Sequence, residues 1–160
     1  MTLETPWPDG GVIPERFTQA GPETSPALRW TGAPDGVVTF AVLMHDLDAP
    51  TAGGSDDVLH WLVWNIPAAA TGLAEGQPQG PELPDGSRQI SATGPYYRGP
   101  AAPASGPEHH YLIEVFALDA RVEVPAVGAS PAATRSSVEA AMAGHVRAKA
   151  TAVGRYRRMN

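Results

Sequence analysis

Three segments of the chain carry the hydrophobic pattern of β-strands. They are residues 37–45 (VVTFAVLMH), 58–65 (VLHWLVWN) and 109–118 (HHYLIEVFAL). The first two are apolar on both faces, which is typical of strands in the middle of a covered sheet. In the third, His109 and Tyr111 share one face, because alternate residues of a strand point the same way. The pattern therefore predicts three long strands at the centre of the protein.

Shorter segments with a weaker strand pattern lie at residues 27–30, 89–91 and 121–124. Between Pro67 and Gly106 the density of Gly and Pro is too high for a helix. A loop region of this length in a compact domain usually contains short strands or a binding site. We therefore expect functional residues to gather around this part of the chain.

One helix is predicted, close to the C-terminus. It follows Ser130 and Pro131, since Pro is favoured in the first turn of a helix, and Gly154 is expected to end it. Its apolar residues recur near helical spacing, and they are Val138, Ala141, Met142, Val146 and Val153. Many strands followed by one helix, with no repeated strand-helix alternation, favour a mainly β fold. We predict a single domain, residues 1–160, built as a two-sheet antiparallel β-sandwich with a C-terminal helix.

Composition narrows the class of protein further. Gly and Pro each occur 17 times in 160 residues, which favours many short elements over long helices. No apolar stretch approaches the roughly 20 residues of a membrane span, so we expect no such span. The first residues lack the cationic and then apolar order of a secretory signal, which favours a cytoplasmic location. The chain has no cysteine, which excludes disulfides, thiolate catalysis and zinc sites built on Cys.

Charge is distributed unevenly along the chain. The net charge is −6, but basic residues concentrate between Arg135 and Arg158, where Glu139 is the only acidic residue. The rest of the chain is strongly acidic and repels polyphosphates, so we expect no nucleic-acid partner. We interpret the basic segment as a solvated helix whose cations favour its C-terminal end.

Four of the five histidines lie in or beside the three predicted strands. Asp46 and Asp48 follow the first strand, His60 lies within the second, and His109 opens the third with Tyr111 two residues later. Imidazole N–H groups and a tyrosine hydroxyl donate hydrogen bonds to a phosphate-like anion, whereas Asp46 suits the orientation of a histidine. We assign Asp48 to turn chemistry.

The order and spacing of these motifs resemble the phosphatidylethanolamine-binding protein family, in its bacterial branch related to Raf kinase inhibitor protein. The motifs are D-x-D-x-P at residues 46–50, H-W at residues 60–61, G-P at residues 99–100 and H-x-Y at residues 109–111. Preceded by the stretch from Ser25 to Trp30, the motifs span roughly residues 20–156, and jointly they are specific.

The resemblance implies a two-sheet antiparallel fold with a small pocket at one end, which accepts an anionic head group such as phosphate or phosphorylethanolamine. It places six residues at the pocket, and these are Asp46, His60, Gly99, Pro100, His109 and Tyr111. It also suggests a cis peptide bond between Ala49 and Pro50, which only a small share of X-Pro bonds adopt.

The chain departs from the family pattern at three places near this pocket. Leu47 stands where the family often has Pro between the two aspartates, and residues 99–103 read GPAAP where a G-P-x-P-P loop is common. His110 stands in the middle of H-x-Y, where Arg is frequent. The missing Arg puts one salt bridge beside the pocket in doubt. The altered loop changes the expected shape of the pocket rim, and hence the expected size of the ligand.

Two other kinds of site fit parts of the pattern. Two histidines and one aspartate form a known ligand set for non-haem iron, but the family resemblance carries no metal and the histidines serve an anion equally well. The Gly53-Gly54-Ser55 stretch lacks the Lys and the helix of a phosphate-binding P-loop, so we interpret it as a turn. We therefore predict neither a metal nor a cofactor.

Three functions are consistent with these residues. The first, which we favour, is a cytoplasmic binding protein for a small anionic or phosphorylated ligand or metabolite. The second is an enzyme that uses His60 or His109 as general acid or base, oriented by Asp46, to isomerise, dehydrate or cyclise a metabolite. The third is an inhibitor of a partner protein. Catalysis and a homodimer both stay open at this point, because function depends on the site rather than on the fold.

Overall fold

The protein folds into two β-sheets and one α-helix, as a computed structural model describes for residues 1–49 and 57–160. The described strands are β1 (Thr2–Glu4), β2 (Gly11–Val12), β3 (Leu28–Thr31), β4 (Thr39–Asp46), β5 (Val58–Pro67), β6 (Gly72–Leu73), β7 (Arg88–Ile90), β8 (His109–Leu118) and β9 (Val146–Tyr156). Helix α1 covers Pro131–Met142, and a short 3-10 helix covers Glu15–Phe17. The predicted mainly β, two-sheet fold with one helix near the C-terminus is confirmed.

Strands β4, β5 and β8 lie side by side in a six-stranded sheet with the order β2-β9-β8-β4-β5-β7. Neighbouring strands run antiparallel, except that the short β2 pairs with β9 in parallel. The three predicted long strands are therefore central strands, and β8 has the predicted bounds. The register places Asp46 opposite Tyr111 across β4 and β8. Two residues that are distant in the chain thus become neighbours.

The six-stranded sheet is covered on both faces. One face packs against the three-stranded sheet β1-β3-β6 through a large core that includes Trp7, Phe17, Trp30, Phe40, Trp61 and Tyr111. On the other face, Val138 and Met142 of α1 pack against Leu43, Leu62 and Trp64. Burial on both faces explains why β4 and β5 are apolar at consecutive positions rather than at alternate ones.

The predicted helix is too long, because α1 ends at Met142 and Val146–Tyr156 form β9. Buried and exposed residues alternate along much of β9, which is the period of a strand. Gly154 does not end a helix. It lies inside β9, where a Cβ atom would stand 2.4 Å from Cγ1 of Ile13 and 2.7 Å from Nε1 of Trp7. The small residues of this segment suit either period, and pairing with β8 selects the strand.

The basic residues near the C-terminus do not form the solvated helix that the sequence pattern suggested. Most of them lie on β9 or directly after it. Several form ion pairs, and these are Arg135 with Asp57 and Glu139, Arg147 with Asp119, Lys149 with Glu114 and Arg155 with Glu108. The C-terminal strand thus neutralises part of the acidic excess of the body.

The predicted strand at residues 121–124 is wrong, since this segment is irregular. Its backbone groups bond to side chains of the sheet instead of to another strand. Asn65 Nδ2 donates to the Val122 carbonyl at 2.9 Å, and the Val122 N–H donates to Asn65 Oδ1 at 2.8 Å. The Val124 carbonyl accepts from Nε1 of Trp64 at 3.0 Å. These bonds satisfy the segment without a strand partner.

The Gly- and Pro-rich region between Pro67 and Gly106 contains the short strands β6 and β7, as predicted. The strands predicted at residues 27–30 and 89–91 are confirmed as β3 and β7, each displaced by one residue. No helix among the described residues is long and apolar enough to cross a membrane.

Candidate functional site

Four of the predicted site residues meet at one end of the six-stranded sheet. Asp46 is the last residue of β4, His60 lies near the start of β5, and His109 opens β8 with Tyr111 two residues later. Because β4 lies between the other two strands and runs antiparallel to both, these ends are adjacent. Tyr111 is fully buried, and Asp46 and His60 are each 3% exposed. The site is a polar cluster set into the aromatic core.

The Asp46 carboxylate fixes the orientation of His109. Its Oδ1 atom accepts hydrogen bonds from the backbone N–H groups of Asp48 (2.9 Å) and Ala49 (3.1 Å), and its Oδ2 atom lies 2.8 Å from Nδ1 of His109. A carboxylate only accepts, so Nδ1 of His109 carries the proton and Nε2 is left for another partner. The turn role predicted for Asp48 belongs to Asp46. Its carboxylate both accepts from the backbone of the turn and orients His109.

Asp48 instead ties the end of β4 to β8. Its Oδ2 atom accepts from the backbone N–H of His110 at 2.6 Å and from Nδ1 of the His110 ring at 2.8 Å. Burial raises the pKa of Asp48, but the hydrogen bonds and charge of His110 outweigh this and lower the pKa overall. His110, whose presence put a salt bridge in doubt, therefore still pairs with a carboxylate.

His60 is held in a neutral state. Its Nδ1 atom donates to the carbonyl of Arg98 at 2.7 Å, so the proton lies on Nδ1 and Nε2 has a free lone pair. Burial lowers the pKa of His60, and the hydrogen bond to Arg98 and the charge of Asp46 only partly oppose this. His60 thus offers an acceptor near pH 7. Its ring makes a T-shaped contact with Tyr111, with 5.1 Å between the ring centroids.

The Tyr111 hydroxyl is buried and has no hydrogen-bond partner among the described residues. Burial raises the pKa of Tyr111, and the nearby Asp46 carboxylate adds to this by its charge and by attracting the hydroxyl proton, whereas the backbone N–H groups of Ala101 and Ala102 act in the opposite direction. The hydroxyl therefore stays protonated, close to an acidic side chain and to two backbone amides. A buried group without a partner costs about 1 to 3 kcal/mol. An incoming acceptor atom would remove that cost.

The Gly99-Pro100 turn runs beside this cluster, but its polar groups are used within the protein. The N–H of Gly99 donates to Oε1 of Glu23 at 2.9 Å, and its carbonyl accepts from Nε2 of Gln19 at 2.8 Å. A Cβ atom at residue 99 would lie 2.6 Å from the carbonyl oxygen of Phe17, so this close approach requires glycine. The resemblance places Gly99 at the pocket, and in the structure the Gly99 N–H is bound to Glu23.

Three residues near the site are missing from the sequence-based prediction. Glu23 lies in irregular chain with a left-handed backbone (φ 57°), a conformation that its residue type does not signal. Ala101 and Ala102 contribute backbone N–H groups, which every residue except Pro possesses. No side-chain motif marks any of the three, because their proximity to the cluster comes from the path of the chain.

Two predictions lie outside the described residues: the cis bond between Ala49 and Pro50, and the turn at Gly53-Gly54-Ser55. The alternative of an iron site finds no support in the described ranges, residues 1–49 and 57–160. There, no group of three or more His, Asp or Glu side chains is placed to hold a metal ion.

Comparison with known proteins defines the family. Residues 4–157 match the family model described as phosphatidylethanolamine-binding protein. The chain belongs to this family. A UPF0098 protein from Methanothermobacter thermautotrophicus is 38% identical over 161 residues, which cover 99% of each chain. Another UPF0098 protein, from Aquifex aeolicus, is 34% identical over 94% of this chain and 84% of the relative.

Solved structures of family members have the same fold. Escherichia coli YbcL, described as a new member of the mammalian PEBP family, matches with a TM-score of 0.80 and 28% identity over 98% of each chain. A phosphatidylethanolamine-binding protein from Plasmodium vivax matches with a TM-score of 0.59 and 14% identity, over 100% of this chain and 87% of its own, and shows the fold alone. The resemblance inferred from the motifs is therefore confirmed.

Proposed function

We propose that this chain is a binding protein for a small anionic or phosphorylated ligand, held in the pocket of Asp46, His60, His109 and Tyr111. The observation that carries the proposal is the buried Tyr111 hydroxyl, which has no hydrogen-bond partner among the described residues. This hydroxyl donates to an acceptor oxygen of the ligand. Membership of the phosphatidylethanolamine-binding protein family supports a ligand-binding role.

Further donors come from the loop beside the pocket and from one histidine. The backbone N–H groups of Ala101 and Ala102 approach the Tyr111 hydroxyl, and successive backbone amides suit an anion. His60 and His109, when neutral, each present an acceptor at Nε2, because Nδ1 donates elsewhere. A fully ionised phosphate oxygen only accepts hydrogen bonds, so it needs a donor at a histidine Nε2 atom rather than an acceptor. Binding therefore requires a proton on Nε2 of His109.

The Asp46 carboxylate lies where it stabilises a protonated His109 ring. Its carboxylate lies 2.8 Å from Nδ1 of His109 and balances the charge of an imidazolium ring. His60, whose pKa is lowered chiefly by burial, stays neutral and accepts from any hydroxyl or ammonium group of the ligand. Anion binding thus favours the protonated His109 ring, which donates from both nitrogens, and affinity falls as pH rises.

Isothermal titration calorimetry with inorganic phosphate tests this function. Buffers of different ionisation enthalpy measure the protons taken up, and sulfate is a second probe because it does not titrate between about pH 5.5 and 8.5. We expect both anions to bind less tightly at high pH, and His109→Gln to lose the pH dependence. His145→Gln is the matched control, because His145 is exposed and pairs with Asp119. A flat sulfate profile without proton uptake would contradict the proposal.

The Asp46 and His109 pair favours a second candidate, an enzyme that moves a proton. Nε2 of His109 takes a proton from a substrate or returns it, while Tyr111 donates to a developing oxyanion. His109 and Tyr111 would supply the proton transfer and the hydrogen bond that an isomerisation, dehydration or cyclisation of a metabolite uses. Mass spectrometry of a metabolite extract incubated with the protein tests it. Conversion that is lost in His109→Gln and kept in His145→Gln supports the enzyme, and no conversion leaves binding as the function.

Inhibition of a partner protein, formation of a homodimer and a cytoplasmic location stay predictions from the sequence.

A further inference from the structure

Three arginines that form no ion pair with the described residues lie on or beside the loop of residues 98–108. The chain has 11 Lys and Arg residues. Those that form ion pairs are Arg16, Arg121, Arg135, Arg147, Lys149 and Arg155. Of the others, which pair with no carboxylate of the described chain, Arg98, Arg157 and Arg158 belong to this loop or bond to it. In a protein with an excess of carboxylates, unpaired cations are thus concentrated in one place.

The C-terminal segment places two of these arginines along the loop. The backbone N–H of Arg158 donates to the Ala102 carbonyl at 3.0 Å, and the Arg157 guanidinium donates to the Gly106 carbonyl at 3.1 Å. The N–H of the same Ala102 approaches the Tyr111 hydroxyl. Both arginines are exposed. The chain therefore brings the Arg157 guanidinium and the backbone of Arg158 to the loop that also carries the Ala102 N–H.

Arg98 adjoins the pocket from the start of the same loop. Its backbone N–H donates to the His60 carbonyl at 2.9 Å, and its carbonyl accepts from Nδ1 of His60 at 2.7 Å. Burial is the main cause that lowers the pKa of His60, and the charge of Arg98 adds to it. The backbone contacts therefore hold Arg98 beside His60, and its charge acts on that ring.

Three carboxylates on or beside this loop already have partners in the described chain. Glu108 pairs with Arg155, Asp48 pairs with His110, and Glu23 accepts a backbone N–H. Their negative charges are thus engaged with other donors. The guanidinium groups of the three arginines keep donors that are available to an external anion.

We propose that Arg98, Arg157 and Arg158, which we call the arginine rim, form an outer anion subsite, so that the preferred ligand carries two anionic groups. One group is a phosphate in the pocket, and the other is a carboxylate or a second phosphate at the rim. The proposal rests on the anion-binding function and adds the class of ligand to it. Guanidinium groups bind such groups through paired N–H donors. Exposed ion pairs are individually weak, so the gain in affinity is about three- to tenfold.

Calorimetric titration of the full chain with two matched ligands tests the arginine rim. Ethyl phosphate and phosphoglycolate share a phosphate and a two-carbon chain, and only phosphoglycolate has a carboxylate. We expect the parent to bind phosphoglycolate about three- to tenfold more tightly, and this preference to shrink as salt is added. In the double variant Arg157→Gln/Arg158→Gln the preference disappears, while the affinity for ethyl phosphate changes by less than about twofold.

Arg29→Gln is the matched control for loss of positive charge. Arg29 is exposed, pairs with no carboxylate of the described chain, and lies on β3 in the other sheet. Its loss should leave the preference for phosphoglycolate unchanged. Arg98→Gln should reduce that preference, as the double variant does.

Each outcome decides one of the two proposals. Equal affinities in the parent, or a preference that survives in the double variant, overturn the arginine rim. If the parent binds ethyl phosphate and phosphoglycolate equally tightly, the anion-binding function stands and only the arginine rim is overturned. If neither ligand binds the parent, the anion-binding function fails as well. Co-sedimentation with phosphatidylserine vesicles that is lost in the double variant would assign the two charges to a lipid headgroup, and its absence would assign them to a free metabolite.

Discussion

His45 and Asp46 are consecutive residues of β4, and their side chains join polar clusters on opposite faces of the six-stranded sheet. Asp46 contacts His109 in the cluster with His60 and Tyr111. His45 pairs with Asp57 and lies 3.3 Å from Glu114, on the face that α1 covers. This division follows from the alternation of side chains along a strand. The sheet therefore has a carboxylate-histidine contact on each side.

The cluster around His45 joins the helix to the sheet. Asp57 also pairs with Arg135 of α1 at 2.5 Å, and Glu114 pairs with Lys149 of β9 at 2.7 Å. Burial lowers the pKa of His45, but the Glu114 and Asp57 carboxylates outweigh it and raise the pKa overall. A raised pKa in the folded state means that the folded protein binds the proton more tightly. The stabilisation is complete below the unfolded value of 6.5 and is lost as pH rises through the folded pKa.

We predict that His45→Gln lowers the free energy of unfolding by about 1 to 3 kcal/mol near pH 6 and by clearly less near pH 9. The reason is that the charged ring balances two carboxylates only while it is protonated. Urea unfolding at both pH values measures the difference. His145→Gln, which removes an exposed histidine, should change little at either pH. An equal loss at both pH values would show that the charge of His45 is not involved.

A second prediction separates His60 from His109. His60→Ala should lower the free energy of unfolding by about 1 to 3 kcal/mol, because it leaves a cavity and an unpaired Arg98 carbonyl. His109 lies at the start of β8, and its side chain is 13% exposed, so His109→Ala should affect stability less. Both variants should lose phosphate affinity, His109→Ala by about 1.5 to 3 kcal/mol. Thermal melting and calorimetry compare them, and parental affinity in His109→Ala would place the pocket elsewhere.

A third prediction concerns the glycine of the pocket loop. Gly99→Ala should lower stability by about 1 to 3 kcal/mol and weaken phosphate binding, because its Cβ would lie 2.6 Å from the Phe17 carbonyl oxygen and 2.9 Å from Cα of Thr18. Gly106→Ala is the matched control in the same loop, since its Cβ would meet no atom closer than 3.9 Å. Unfolding and titration experiments on both variants test this. Equal behaviour of the two would contradict the tight packing at residue 99.

The sequence predicts the central strands well, because their apolar runs are long and rich in β-branched and aromatic residues. The sequence pattern extends the helix into the last strand, since Ala148, Ala150 and Ala152 are small enough to suit either element. Only pairing with β8 distinguishes the two. The apolar residues around Val122 alternate and predict a strand, whereas the backbone of Val122 bonds to the side chain of Asn65 instead of to another strand.

The same limit applies to the site. The motifs predict that one cluster contains Asp46, His60, His109 and Tyr111. The structure places these side chains together. Their role in ligand binding stays a prediction. The tautomers of the histidines depend on partners such as the Arg98 carbonyl, which no motif specifies because every residue has a carbonyl group.

The most direct test of the anion pocket is Tyr111→Phe. This variant removes a buried hydroxyl that has no hydrogen-bond partner among the described residues, so the fold should lose only its weak interactions with Asp46 and with the Ala101 and Ala102 amides. We expect the free energy of unfolding to stay within about 0.5 kcal/mol of the parent or to rise, and phosphate affinity to fall by about tenfold or more, since a hydrogen bond to a charged ligand is lost. Urea unfolding and calorimetric titration of the same preparation measure both quantities. Parental phosphate affinity in Tyr111→Phe would contradict the pocket described here.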